Sequence, residues 1–420
     1  MSDVKPRYRA ICGVLALFIG ICLYASVALK PPAAKYCQTG TSYDFFGADC
    51  WRVAQNIGNS DSISHYRDRV HPLFSLIAVS SVTLFERLLG CSECSSRIYQ
   101  LLFGASGLFF FALVLHELNP RPIAVVFPTL LLLCSSASWT VWTRLPETFL
   151  FSFFSISLAL FLFLRVKGES ALIGSGISSF AGTITNGLLG VLLQVFRRGD
   201  GASVGATADR KKTVARDVLL TIGAVALLAL LQRTIYPSST LFFDIFGMRE
   251  ESEYVNKDLS QIPWRTLDFF VSPFVLAWPS SPARDFSSLS MLHDLAVNFP
   301  QQSRRFIGAA IAMVALVGGP VLYCAVRAIR QRQRDVRLDI GRHGAAIRAI
   351  VLFVVFEFVL HQFYGDMPFL YSMQYMPLVL ILWMHAVSRR FPRAYPLLTG
   401  LLVVLVQEIN APVYAFFAQT

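Results

Sequence analysis

An almost unbroken apolar run extends from Ala10 to Leu29, and similar runs recur along the chain. They lie at Ile98–His116, Ile123–Thr143, Thr148–Leu164, Ala171–Phe196, Val218–Leu231, Phe306–Ala328, Ala349–Leu360, Pro377–Val387 and Tyr395–Ile409. A helix needs roughly 20 predominantly apolar residues to cross a bilayer. Continuous runs of this kind, without period-two alternation, exclude a membrane barrel. The run Ala171–Phe196 is interrupted by "GTITNGLLG", where Gly182, Asn186 and Gly187 predict two half-helices meeting at a tip. The pattern predicts an all-α polytopic membrane protein with about eleven transmembrane helices, forming a single domain over residues 1–420.

The stretch His71–Leu89 reads differently. Ser75, Ser80, Ser81 and Thr83 punctuate it, which suits a helix lying in the interface better than one that crosses. Charge placement makes the same choice. Basic residues cluster at Lys5–Arg9, Arg197–Arg198, Arg210–Arg216, Arg327–Arg348 and Arg389–Arg393, each flanking an apolar run. If His71–Leu89 crossed, several of these clusters would fall outside, against the positive-inside rule. If it stays in the outer interface, all of them fall in the cytoplasm. The expected layout has a first outer loop over 30–97 with amphipathic helices, a second outer loop over 236–303 and a basic cytoplasmic loop over 329–347. The expected location is a bacterial inner membrane, with the active site facing the periplasm or exterior.

Composition sharpens this reading. Hydrophobic residues make up 55% of the chain and charged residues only 15%, against roughly a quarter in soluble domains. Mean hydropathy is +0.54. The net charge of +11 does not signal nucleic-acid binding, because no basic stretch is interleaved with stacking aromatics. It fits loops over anionic lipid. The apolar core of the N-terminus is longer than a signal-peptide h-region, so an uncleaved first span is expected. Cys37, Cys50, Cys91 and Cys94 all fall in the first outer loop, where disulfides persist. Cys37 with Cys50 is one candidate pair. The Cys91–Cys94 spacing fits a structural disulfide, idle thiols, or half of a redox or zinc site. Cys12, Cys22, Cys134 and Cys324 lie within spans as packing residues.

Ionisable residues gather at the outer ends of the spans, a pattern that points to function when such groups sit at membrane depth. Loop charges that face water carry no such meaning, and the group from Asp61 to Asp68 can be read that way. Three constellations stand out. In "GADCWRVAQNI", Asp49 opens an amphipathic stretch whose Trp51, Val53, Ala54 and Ile57 can lie on the membrane while Asp49 faces a cavity. In "YRDRVHPLF", Arg67, Arg69 and His71 suit an anionic phosphate near the headgroup plane. In "TRLPETF", Pro146 is expected at the first position of a helix with Glu147 in its first turn, where Glu147 favours the helix dipole even without a catalytic role. A further outer stretch, "HQFYGDMPFLYSMQYMP", offers Tyr364, Asp366, Tyr371 and Tyr375 for a sugar subsite, though interfacial anchoring explains tyrosines equally well.

In this order the features resemble the GT-C superfamily of membrane glycosyltransferases, particularly the protein O-mannosyltransferases and the lipid A aminoarabinose transferases. One span precedes a long outer loop in which Asp49 begins an amphipathic helix with Ala54 five residues on. The element His71-Pro72-Leu73-Phe74 leads into an in-plane helix, and a second acid, Glu147, stands at an outer span end. The first 200 residues or so carry the likeness; the rest matches in layout. The chain differs in having Glu147 where Asp is commoner and His71 where Lys is frequent.

The resemblance implies transfer of a sugar, with inversion, from a polyprenyl-phosphate donor to an acceptor hydroxyl of a glycan, lipid or protein. It implies Asp49 as base, Glu147 as the group orienting the acceptor or a cation, and Arg67, Arg69 and His71 as phosphate ligands. Asp44, Tyr364 and Asp366 join the substrate contacts. Asp44 and Asp49 are a loosely spaced acidic pair, so a requirement for a divalent cation stays open. Two other classes compete. A transporter or flippase of a lipid-linked sugar would use broken helices such as the one at Gly182–Gly187. An acyltransferase would need a catalytic His, but His116 and His343 fall on the cytoplasmic side in this topology. The chain has no glycine-rich phosphate loop, which argues against soluble nucleotide-sugar chemistry.

Overall fold

The structure is a computed structural model that describes residues 50–91, 94–119, 122–199, 207–243, 255–276, 308, 311–320, 322–323, 326, 341–365 and 368–419. Among these the backbone is overwhelmingly helical, and the only β pairing is an isolated bridge between Val255 and Tyr364. A short α1 (Cys50–Gly58) is followed by a 3-10 helix (Ile63–Arg69), a π-helical turn (Ser75–Val79) and α2 (Ser80–Leu89). Next come α3 (Ser95–Leu118), α4 (Pro122–Ser135), α5 (Ala137–Trp142), α6 (Phe149–Arg165), α7 (Glu169–Gly182), α8 (Gly187–Gly199) and α9 (Thr207–Ile235). The rest of the described chain forms α10 (Ile262–Val271), α11 (Arg342–Phe363), α12 (Ser372–Arg390) and α13 (Tyr395–Gln419).

Among the described residues, five stretches are long and apolar enough to cross a membrane: Ser95–Leu118, Lys211–Ile235, Arg342–Phe363, Pro368–Arg390 and Tyr395–Ala415. Ala124–Ser135, Phe149–Arg165 and Gly187–Arg197 are shorter apolar helices. The protein is therefore an all-α membrane protein. The expected first span, Ala10–Leu29, lies outside the described residues. Pro368–Arg390, which contains α12, runs through the middle of the bundle with 83% of its apolar window buried, whereas α9 buries only 22% and sits at the periphery.

Two expectations change in detail. The run Ile123–Thr143 is not one helix but α4 and α5, broken at Ser136, whose backbone is extended and whose hydroxyl accepts from Trp139 N. The freed amides of Ala137 and Ser138 donate instead to the carbonyls of Phe274 and Pro273. That backbone comes from the segment read as an outer loop. Part of it, α10 and residues 272–276, packs into the bundle, with Phe269, Val271, Phe274, Val275 and Leu276 buried. Likewise α1 turns Val53 and Ile57 into the protein rather than onto the membrane.

The interrupted run Ala171–Phe196 does form two helices, α7 and α8, joined at residues 183–186. They approach closely through glycines: a Cβ on Gly190 would lie 2.8 Å from Gly176 Cα, with Ser179 Cβ at 3.2 Å. Because the obstacle is backbone, no side-chain rotation relieves it. Gly190→Val should lower the stability of the detergent-solubilised protein by about 1–3 kcal/mol, read as a drop in thermal midpoint. An unchanged midpoint would show that the hairpin is not packed this way.

Candidate functional site

The bundle has two chemically distinct ends. At one, Asn119 Nδ2 of α3 donates to Ser388 Oγ of α12 (2.8 Å), and Arg342 of α11 donates to Val166 O beyond α6 (2.7 Å). Arg216 of α9 pairs with Glu169 of α7 (2.9 Å), and the Arg348 guanidinium stacks over Phe196 of α8. His116 and His343 lie on the same helical ends, far from the acidic groups of the other end.

At the opposite end the non-helical backbone converges. Residues 70–71 thread between the start of α6 and the α7–α8 turn. His71 Nδ1 donates to Gly182 O (2.7 Å), and its Nε2 lies 3.2 Å from Thr148 Oγ1. Ile184 N donates to Val70 O (3.1 Å). Both ring nitrogens of His71 are therefore engaged within the protein, so the residue joins three elements. Gln232, fully buried near the end of α9, accepts from Leu76 N (2.7 Å) and donates to Pro72 O (3.1 Å). The π-helical turn makes this possible by leaving the Leu76 amide to a side chain.

Residues 71 and 95 are held at the same end of the bundle. His71 is held against Thr148 and Gly182, and Glu86 accepts a short hydrogen bond from Ser95 Oγ at the start of α3. A disulfide joins Cys91 to Cys94 between α2 and α3, one of the states that spacing allows. Cys50 is also disulfide-bonded, and Cys134 is free.

Glu147 is buried at this end, 3% exposed. Its Oε2 accepts from Thr148 N (3.2 Å), and its carbonyl accepts from Tyr99 Oη (2.7 Å). Thr148 is the cap of α6, so Pro146 and Glu147 precede the helix instead of occupying its first turn as expected. Arg69, 7% exposed, stacks over Tyr66 at 5.5 Å, and Arg67 is half-buried on the same 3-10 helix. Burial pushes the Arg144 guanidinium below its ordinary value, with Tyr414 opposing the shift.

Tyr364 stands at the same end, beyond α11. Arg265 of α10, fully buried, holds this turn by donating to the carbonyls of His361 (2.8 Å), Tyr364 (3.1 Å) and Gly365 (2.9 Å). Gly365 adopts φ +82°, and a Cβ there would meet the Tyr371 ring at 2.6 Å. Tyr371 stacks on His361 (4.4 Å) and approaches Phe149, two residues past Glu147, at 6.0 Å. Tyr375, expected among subsite tyrosines, instead stacks on Phe269 at 3.9 Å in the core.

The structure thus brings Arg67, Arg69, His71 and Glu147 to one end of the bundle together with Tyr364. Asp44, Asp49 and Asp366 lie outside the described residues; Asp49 immediately precedes Cys50, the first residue of α1. Among the described residues no group of three His, Cys, Asp or Glu side chains is arranged to hold a metal ion. No protein-family model, no curated protein and no solved structure matches the chain.

Sequence reasoning passed over Asp68, His65 and Arg265. Asp68, read as a water-facing loop charge, is 2% exposed, and its carboxyl is pushed up to about 7 by burial, against hydrogen bonds from Ser239 and Ser75 and the Arg52 charge. The available signal was the i, i+3 spacing of His65 and Asp68, which places both on one face of a short helix. For Arg265 it was the position of a cation inside the amphipathic stretch "IPWRTLDFFV".

Arg265 satisfies three carbonyls with one planar fork, a geometry an ammonium cannot reproduce. Arg265→Met should cost about 2–4 kcal/mol by leaving buried carbonyls unpaired. Arg265→Lys should recover little of that loss. Thermal unfolding in detergent reads both, and full rescue by lysine would contradict the fork.

Proposed function

We propose that this chain is an inverting glycosyltransferase that moves a sugar from a polyprenyl-phosphate donor to an acceptor hydroxyl at the membrane face where Glu147 lies. The observation that supports this reading best is the segment Arg67–His71 lodged against the Glu147 turn, at the end of the bundle opposite the basic helix ends. Cations on a segment that packs against the turn carrying a buried carboxylate suit a substrate that is a lipid phosphate on one side and a hydroxyl on the other. The resemblance to GT-C enzymes described above supplies the reaction class.

The chemistry follows from what each group can do. A hydroxyl is a poor nucleophile and must lose its proton as it attacks. Asp49 takes that proton while the acceptor oxygen bonds to the anomeric carbon from the face opposite the phosphate. The carbon–oxygen bond to phosphate breaks, and its electron pair leaves with the polyprenyl phosphate. Because this leaving group is already anionic, it calls for positive charge more than for an acid, and Arg67 and Arg69 supply that charge. His71 fixes the segment that carries them. Glu147, with Thr148 N donating to its carboxylate, orients the acceptor or a cation. Tyr364 and Asp366 form the sugar-facing side.

A second reading, a flippase of a lipid-linked sugar, draws on the break between α7 and α8. Purified protein incubated with radiolabelled polyprenyl-phosphate sugars separates the two. Label should leave the lipid with wild type, and Asp49→Asn, folded and inserted normally, should reduce that loss by at least about 100-fold. Substantial residual transfer would remove Asp49 from the role. No transfer with any donor, combined with label protected inside reconstituted vesicles, would favour the flippase. In the transferring enzyme, Asp366→Ala should raise a donor or acceptor Michaelis constant; if it alters neither, Asp366 has no place in the subsite.

A further inference from the structure

The 3-10 helix that presents Arg67 and Arg69 turns two other ionisable residues inward. His65 is fully buried and Asp68 is 2% exposed, and neither has a part in the chemistry above. They meet through one hydroxyl: His65 Nδ1 lies 2.7 Å from Ser75 Oγ, which lies 2.9 Å from Asp68 Oδ1. The other ring nitrogen, Nε2, lies 3.2 Å from Asn59 O.

These partners restrict where protons can be. A carbonyl only accepts, so Nε2 must carry a hydrogen. The chain from Nδ1 through Ser75 to Asp68 then has two complete arrangements. In one, an imidazolium donates to Ser75, which donates to a carboxylate. In the other, a carboxylic acid donates to Ser75, which donates to a neutral imidazole. Both contain one shared proton and both have zero net charge. If that proton is lost, the only tautomer that still donates to Ser75 leaves Nε2 bare against the Asn59 carbonyl. Loss of the proton therefore breaks a buried hydrogen bond and leaves a net negative charge on the 3-10 helix that carries Arg67 and Arg69.

We propose that His65, Ser75 and Asp68 form a one-proton positioning relay that holds Arg67 and Arg69 for a lipid phosphate while the proton is kept, and weakens that hold when it is lost. This inference rests on the transferase reading of the Arg67–Arg69 segment, and it makes His65 and Asp68 positioning residues for donor binding. Among the described residues, Arg52 from α1, Asp61 from the preceding turn and Tyr236 from the end of α9 stand around the relay, and Arg67 and Arg69 flank Asp68 along the 3-10 helix. Burial pushes Asp68 up and His65 down, which favours the acid–imidazole arrangement at neutral pH and sets the loss near pH 7.

The sign follows directly. Below about pH 7 the relay is neutral and the two arginines face the phosphate with their full charge. Above it the added negative charge opposes an anionic ligand, so affinity falls as pH rises. By linkage, binding of the phosphate also raises the relay's hold on its proton.

Asp68→Asn separates this effect from others, because the amide can donate to Ser75 as the carboxylic acid does but has no proton to lose near neutrality. The test uses the full chain in detergent micelles with undecaprenyl phosphate as the probe. Binding is followed by intrinsic tryptophan fluorescence from pH 5.5 to 8.5 at fixed ionic strength. The probe's own second ionisation acts on both proteins, so the ratio of wild-type Kd to Asp68→Asn Kd isolates the relay. That ratio should be near one at the acid end and rise to about fivefold at pH 8.5. A flat ratio with both proteins binding overturns the relay and leaves the transferase reading intact. If neither protein binds at any pH, both ideas fail.

Should the variant not fold, wild type alone decides the matter through the ring 15N shifts of labelled His65. The ring should carry its hydrogen on Nε2 at pH 6 and move it to Nδ1 above neutrality. A tautomer that does not change across the range overturns the proposal.

Discussion

Backbone amides and carbonyls withdrawn from water need partners, and in a membrane bundle the helices themselves supply most of them. Where the helices stop, side chains must take over. At the site end of this protein a small set of buried polar residues does so: His71 for Gly182, Gln232 for Pro72 and Leu76, Arg265 for the Tyr364 turn, and Asn410 for Ser135, Phe274 and Leu276. Irregular backbone can persist there because these groups close hydrogen bonds that α4, α7, α11 and the segments around Pro72 and Phe274 leave open. The candidate site is built on that irregular backbone.

This arrangement also explains why the site residues are so deeply buried. A residue that holds two or three segments together must sit between them, as His71 does between Thr148 and the α7–α8 turn. Its imidazole is thereby committed to the protein, while the arginines a few residues earlier keep their charge beside the junction. Positioning and charge are divided between neighbours on one short segment. The tight α7–α8 hairpin, made possible where Gly190 meets Gly176, supplies the carbonyl on which that segment rests.

The two ends of the bundle differ in kind. Arginines at the ends of α6, α8, α11 and α12 and at the start of α9 share one end with polar helix-to-helix contacts. The other end gathers buried carboxylates, aromatic stacks and a disulfide-closed turn. Basic helix ends of this kind suit an anionic lipid surface.

The membrane class, the helical build and the break near Gly182–Gly187 could be read from the sequence. Each follows from local quantities: the length of an apolar run, the residues that interrupt it and the sign of its flanking charges. Arg67, Arg69, His71 and Glu147 were also expected as a group, and they lie at one end of the bundle. What the sequence does not contain is which polar side chains face one another. The break at Ser136, the inward turn of α10, the commitment of both His71 nitrogens and the burial of His65 and Asp68 are set by contacts between residues far apart in the sequence, such as Ala137 with Phe274, His71 with Gly182 and His65 with Tyr236. A local pattern assigns a charge to a loop. Only the packed bundle decides whether that loop faces water or is sealed beneath a neighbouring helix, because desolvation depends on everything that surrounds the group.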